Sequence, residues 1–311
     1  MLDHYVPQVH IRRFYSPALG SELLYAIRKT DLKRFTPNSR GVCGINDGST
    51  NPYLLEDRAI EEFLRTIEPG YDMAIEKLET GKVDQQCIYT IAGFVASIIS
   101  CSPAGMRIHS GPLKSSVEAT LRLLEAQGRL PRRPASLIGV PIEAQIDPKY
   151  PQALGIEAIK DNTAAFGNCE WEVLISEFKD NPLFTSDFPV AIERSDDPRI
   201  LNRIVPLAPH LAIRILPKHR PRGAKLDMSF SSFSFRIKGL SLARLALINR
   251  RIVQCAENTV LYRDDRAWVE PFVAKNRYFR IEPYARQIRE AGGVTIWNGQ
   301  EIAEKRPATE S

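Results

Sequence analysis

The sequence predicts an α+β protein in which an N-terminal helical layer packs on a mainly antiparallel C-terminal sheet with a covering helix. Two observations carry this. Between residues 54 and 166 apolar side chains recur at helical spacing, whereas between 169 and 297 several segments alternate apolar and polar at period two. Helices first and strands second is the order of segregated layers, not of alternating βαβ units. The chain has 311 residues, 43% hydrophobic and 25% charged, which suffices for a full core in a soluble globular protein. A single domain over 1–303 with a polar tail at 304–311 is expected.

The elements follow from local signals. Residues 1–14 alternate apolar positions around His4, Gln8, His10, Arg12 and Arg13, and Pro7 restricts Val6 to extended geometry, so a short extended segment tied into the fold is expected. Residues 23–28 read as a strand and the Gly-, Asn-, Ser- and Pro-rich stretch 36–53 as a long loop. A helix over 54–68 is marked by Ile60, Phe63, Leu64 and Ile67; Pro69-Gly70 interrupts it, and 71–79 resumes it up to a Gly81 cap. Residues 84–102 form a helix capped by Asp84 and apolar nearly all round, hence central. Helices are also expected at 113–127, with a Glu118–Arg122 pair, and at 150–166.

Strands are expected at 170–177, 183–192, 204–206, 211–216 and 259–262, with helices at 240–255 and 267–275.

Composition narrows the function classes. A net charge of +5 permits phosphate or nucleic-acid partners without demanding them. Five cysteines, Cys43, Cys87, Cys101, Cys169 and Cys255, are odd in number and without CxxC spacing, which fits reduced, buried thiols and argues against a zinc site. The first residues lack the apolar run of a signal peptide, and the longest apolar stretch, 88–99, is too short to span a bilayer. A cytoplasmic location without membrane association is expected. No P-loop, G-x-G-x-x-G, H-E-x-x-H or G-x-S-x-G pattern occurs.

The candidate chemistry rests on a few side chains. Glu61 and Glu68 are seven residues apart on one helix, almost two full turns, so both project from one face and could serve as an acid/base pair or bind a cation; a solvated helix face produces the same spacing. Asp187 interrupts an apolar strand after Thr185-Ser186 and two residues before Pro189. It is placed either to carry chemistry at a strand end or to close a turn through backbone N–H groups. His4 lies among aromatic and β-branched residues and reads as a buried hydrogen-bonded histidine, a metal ligand or a general base. Asn249, among leucines and isoleucines, needs a partner if buried.

These residues also fall in a resemblance. His4-Tyr5-Val6-Pro7-Gln8 with Arg12 and Phe14, the run Ile60-Glu61-Glu62-Phe63-Leu64-Arg65-Thr66-Ile67-Glu68, Thr185-Ser186-Asp187-Phe188-Pro189-Val190, Pro206-Leu207-Ala208-Pro209 and Ile248-Asn249 resemble, in order, the motifs of the bacterial DUF4238 family. The resemblance implies a shared architecture and a shared polar set, with no reaction assigned. One departure stands out: the family commonly has arginine before Thr-Pro at the end of the central helix, where this chain has Cys101-Ser102-Pro103. Arg107 would have to take that arginine's place, or the site is altered.

The expectation is therefore a metal-dependent, nuclease-like phosphodiester hydrolase of a bacterium, in defence against mobile DNA. His4, Glu61, Glu68 and Asp187 would be catalytic; Gln8, Arg12, Ser186 and Asn249 would bind substrate; Asp187 and Glu68 would hold Mg²⁺ or Mn²⁺. His4 and Gln8 would face Asp187. The rival expectation is a non-catalytic module that binds nucleic acid or a partner through the basic loops 129–133 and 218–225, with the polar set structural.

Overall fold

The computed structural model describes residues 2–131, 134, 136, 139–140, 144–218, 225–290 and 293–305. The chain opens with β1 (Leu2–His4), followed by α1 (Gln8–Arg12), the strands β2 (Tyr25–Arg28) and β3 (Arg34–Phe35), and β4 (Gly44–Asn46), which returns antiparallel to β1. The expected extended segment is thus a strand and one helical turn. Pro7, with φ −51°, sits at the N-cap of α1, where proline's missing N–H costs nothing. Val6, His10 and Phe14, four residues apart, then form one fully buried stripe.

The helical layer is built around α4. It comprises α2 (Ala59–Ile67), α3 (Tyr71–Thr80), α4 (Gln85–Cys101), α5 (Pro103–Ala126), α6 (Lys149–Glu157) and α7 (Ile159–Gly167). The Asp84 carboxylate caps α4 by accepting from the Cys87 N–H at 2.9 Å. From Cys87 to Cys101 only Tyr89 escapes burial, as the all-round apolar pattern predicts. Each of the other five helices packs on it. At Gly93 a Cβ would stand 3.0 Å from Ile67 Cγ2 and 3.1 Å from Phe63 Cζ, so this glycine sets how closely α2 approaches α4.

Three boundaries differ from expectation. α2 starts at Ala59 and not at residue 54, because 47–57 forms turns closed by the Asn51 N–H to Asp57 carbonyl bond. α5 starts at Pro103, capped by Ser102 Oγ, and runs through Pro112, which forfeits one backbone bond without ending the helix. The helix expected over 150–166 is two, broken at Ala158.

The second half holds β5 (Glu170–Ile175), β6 (Thr185–Ser186), β7 (Ala191–Arg194), β8 (Leu201–Ala208), β9 (Leu211–Leu216), β10 (Ser234–Gly239), α8 (Leu242–Cys255), β11 (Thr259–Tyr262), α9 (Val269–Asn276), β12 (Phe279–Glu290) and β13 (Gly293–Glu304). A five-stranded sheet runs β10-β5-β9-β8-β7, parallel at β10–β5 and antiparallel elsewhere. A four-stranded antiparallel sheet runs β3-β2-β11-β6 and recruits two strands from the N-terminal region. The predicted covering helix is α8, packed on β6, β7, β12 and α9.

The single strand expected over 183–192 is two strands in different sheets. β6 pairs with β11, β7 pairs with β8, and the buried residues from Asp187 to Val190 carry the chain across. Pro189 lacks the N–H that continued pairing would need. β10 and the β12–β13 hairpin were not expected. The hairpin seats its base on α5 and α8 and includes Glu304, assigned in advance to the tail; residues 306–311 lie outside the described residues.

Candidate functional site

Where β1, α1 and the turn at Ser39–Gly41 meet the outer face of α2, a cleft of about 520 Å³ opens. His4, Gln8 and Arg12 line it from the N-terminal stretch, Arg40 from the turn, and Glu61, Arg65 and Glu68 from α2 and the turn after it. Five of the eight residues singled out from the sequence are thus brought together: His4, Gln8, Arg12, Glu61 and Glu68. The seven-residue spacing does put both glutamates on the cleft face.

His4 is held by a chain of hydrogen bonds. Ser39 Oγ donates to Gln8 Oε1 at 3.1 Å, Gln8 Nε2 lies 3.4 Å from His4 Nδ1, and His4 Nε2 lies 3.2 Å from the Arg40 carbonyl. A carbonyl can only accept, so the Nε2 that faces it carries a proton. Beneath it the buried Asp3 accepts from the Ser49 N–H and from Arg58, each at 3.0 Å. Burial pushes the Asp3 carboxyl up, but these donors outweigh it and hold it below the usual range.

The two glutamates differ. Glu61 is clamped by Arg58, which reaches it through Nε at 3.0 Å and through a second guanidinium nitrogen, so its charge is already matched. Glu68, in the turn that follows α2, has no hydrogen bond or ion pair among the described residues. Burial raises its pKa, the Arg12 charge opposes this and the Glu61 charge adds to it. The guanidinium groups of Arg12, Arg40 and Arg65 likewise have no carboxylate within ion-pair distance among the described residues. A cleft that holds an acid of raised pKa and three guanidiniums, Arg12 the one whose charge reaches that acid, suits a phosphate or other oxyanion and a proton transfer beside it.

Asp187, Ser186 and Asn249 belong elsewhere. Asp187 is not among the side chains that line the cleft. Its Oδ1 accepts from the Glu257 N–H at 2.9 Å, and its Oδ2 from Asn258 and Thr259 at 2.7 and 3.0 Å, which fixes the start of β11. Burial, partly offset by these donors and by the Lys29 charge, pushes its pKa up to about 6. Lys29 is itself buried, donates to the carbonyls of Ala256 and Phe279 at 2.6 and 2.7 Å, and is pushed down to about 8 by burial. Ser186 Oγ accepts from the Phe188 N–H at 3.2 Å. Asn249 accepts from the Phe184 N–H and donates to the Pro182 carbonyl, both at 2.9 Å.

Nor do His4 and Gln8 make the link to that segment. His10 makes it, with Nε2 2.7 Å from Thr185 Oγ1 and Nδ1 2.8 Å from the Tyr71 hydroxyl.

Asp187 and Glu68 therefore do not form a shared ligand pair for Mg²⁺ or Mn²⁺. Among the described residues no group of three or more His, Cys, Asp or Glu side chains is arranged to hold a metal ion. Arg107 does not stand in for the arginine expected at position 101. It grips Glu257 with two bonds of 2.9 and 2.7 Å and reaches Glu282 at 3.3 Å. Cys101 instead lines a cavity of about 10 Å³ with Asp3, His4 and Ser97, directly behind the cleft. In the basic loops, Arg132, Arg133 and residues 219–224 lie outside the described residues.

Arg65 and Arg40 line the cleft without having been expected there. Arg65 was readable, four residues after Glu61 and three before Glu68 and so on their face. Arg40 reaches the cleft through a turn whose geometry no periodicity encodes, and Arg58, at the N-cap of α2, supports the cleft through its bonds to Asp3 and Glu61.

Residues 3–266 match the family described as "Protein of unknown function (DUF4238)", and the chain belongs to it. No curated protein and no solved structure matches the chain.

Proposed function

We propose that this DUF4238 protein is a nuclease-like phosphodiester hydrolase of the bacterial cytoplasm, with the cleft over α2 as its site. One observation carries the reading: the guanidiniums of Arg12, Arg40 and Arg65, without ion-pair partners among the described residues, line the same cleft as a half-buried Glu68 that has none either, and the Arg12 charge acts on that carboxyl. Guanidinium groups match phosphate oxygens in pairs and stabilise the charge that grows on them as a nucleophile adds. Glu68 accepts the proton of the attacking water, a task suited to a carboxyl whose pKa is raised towards neutrality. His4, fixed by Gln8 and the Arg40 carbonyl, orients the substrate from the opposite wall.

Mg²⁺ or Mn²⁺ is the cofactor expected from the sequence, but the donor set does not fit the ligand pair foreseen, and no step is routed through a metal. The five free, buried cysteines accord with a reducing compartment, and no single helix among the described residues is long and apolar enough to cross a membrane. Defence against mobile DNA is the setting we attach to this chemistry.

A second reading is favoured by a different observation. With Glu61 matched by Arg58 and Asp187, Ser186 and Asn249 occupied in the fold, the cleft is richer in binding groups than in reacting ones. The cleft would then bind nucleic acid or an anionic partner without cleaving it. Labelled single-stranded and duplex DNA and RNA, incubated with EDTA, Mg²⁺ or Mn²⁺, separate the two. Cleavage by the wild type that falls at least about 100-fold in Glu68→Gln, with binding retained, supports the hydrolase. Binding without cleavage supports the second reading. Binding undiminished when Arg12, Arg40 and Arg65 are all changed to Gln removes both.

A further inference from the structure

The hairpin β12–β13 lies beyond the span matched by the family, and it closes a second pocket. That pocket, of about 390 Å³, has Ile192, Arg194 and Leu201 on the edge of the five-stranded sheet, Arg251 on α8, and Gln300 and Glu301 on β13. The volume falls in the range of small-molecule sites.

Its polar groups are incompletely satisfied in a consistent direction. Arg251 is under-bonded: its Nε is buried with no acceptor among the described residues, and its one side-chain bond is a 3.3 Å contact to the neutral Gln254 Oε1. A buried guanidinium donor left unpaired has lost its water partners without replacement, and an anion would restore one. Glu193, also at the pocket, cannot help, because Arg214 holds it at 2.6 Å. Arg203, behind Gln300, has a neutral acceptor too. Two of its nitrogens donate to Gln300 Oε1 at 3.2 Å, and burial pushes its pKa down to about 10. That double bond locks the Gln300 amide with its oxygen towards Arg203, leaving its NH₂ group as a donor for the pocket. Arg194 is exposed at the rim. Glu301 is the one carboxylate there without a partner among the described residues, and it can accept from hydroxyl groups.

We propose that this pocket binds the phosphate monoester of a small polyhydroxylated metabolite. Arg251, Arg194 and the Gln300 amide take the oxyanion, and Glu301 takes hydroxyls of the ligand body. The site is separate from the cleft over α2 and does not depend on the function assigned there.

The test is a thermal-shift and calorimetric titration of the full chain with ribose 5-phosphate and, as the minimal probe, inorganic phosphate. Ligand that binds only the folded state raises Tm in proportion to the logarithm of its concentration above Kd. The expected result is a shift with ribose 5-phosphate that exceeds the shift with phosphate. Gln300→Glu should weaken binding at least about tenfold, since the new carboxylate keeps the Arg203 contact, preserving the hairpin's seat, but repels the anion. Arg251→Gln should do the same, and Arg65→Gln in the cleft should leave the shift intact. No shift with either probe, or a shift that survives Gln300→Glu, overturns the proposal. A shift lost only in Arg65→Gln moves the ligand to the cleft and overturns it equally.

Discussion

His10 Nε2 stands 2.7 Å from Thr185 Oγ1, joining the first helix of the chain to the strand pair that precedes the switch between sheets. Burial pushes this imidazole down to about 3, so it is neutral at physiological pH and serves as a bonding group between Thr185 and Tyr71. The ring also packs 4.9 Å from Phe94 and 5.3 Å from Phe14, centroid to centroid.

His10→Phe keeps that packing and strands two buried hydroxyls. We expect a loss of about 2–4 kcal/mol in urea unfolding at pH 7, the cost of two unsatisfied polar groups. The folded pKa lies below the unfolded value of about 6.5, so the unfolded state binds the extra proton. The stability His10 confers is complete above pH 6.5 and is lost as pH falls towards 3. The gap between wild type and variant should narrow with acidification, by up to about 1.4 kcal/mol per pH unit. A gap that stays constant from pH 7 to 4 would refute the buried neutral histidine.

Asp187→Asn should destabilise by about 2–4 kcal/mol, because an amide NH₂ would face backbone donors that now find a carboxylate. Here the sign is reversed. The folded pKa of about 6 lies above the usual aspartate value, so Asp187 contributes most below that usual value and loses its contribution as pH rises through 6. The difference between wild type and variant should therefore shrink between about pH 4 and 6, opposite to the His10 trend over the same interval. Denaturation curves of the two variants across that window give the comparison.

Glu68→Gln should leave stability within about 0.5 kcal/mol, since it removes a carboxylate without hydrogen-bond partners from a partly buried site. If Glu68 is the base, the wild-type rate should fall as pH drops through a pKa above the ordinary glutamate range, and this limb should vanish in the variant. A pH–rate profile unchanged by the substitution would assign the proton transfer to another group.

Gly93→Val is expected to cost about 1–3 kcal/mol by overpacking the crossing of α2 and α4. Gly93→Ala should be nearly neutral: it gains about 1 kcal/mol of helix propensity and spends it against Ile67 and Phe63. Melting temperatures of the two variants that coincide would show that α2 can move away freely, and with it Glu61 and Glu68.

The legible parts of the molecule were those encoded by short-range pattern. Gly81, Asp84 and the apolar run of α4 mark one helix end, one helix start and the centre of the core, all read correctly. The cleft was legible as far as helical spacing reaches, through Glu61 and Glu68, and as far as the N-terminal motif reaches, through His4, Gln8 and Arg12. The role of His10 is hidden because Pro7 signals extended geometry for Val6, whereas here it also starts a helix that aligns Val6, His10 and Phe14.

Asp187 stands out in the sequence because it interrupts an apolar strand. Its side chain, however, meets the backbone of residues 257–259, some 70 positions away, and local sequence does not say which partner a buried carboxylate will find. The β12–β13 hairpin was missed for a different reason. Charged residues recur along its sequence and Pro283 breaks the strand signal, although Gly292-Gly293 is a turn signature in the sequence.

The crossing from β6 to β7 has a mechanical consequence. The residues between them are buried and belong to neither ladder, so the two sheets are coupled in series through a short covalent strap with little slack. Neither sheet can melt far without dragging on the other, and the amides of β8 and β11, in separate sheets, should exchange with deuterium in one cooperative opening, not two. A cut engineered between Phe188 and Val190 would release that coupling and divide a single protected unit into two of unequal lifetime.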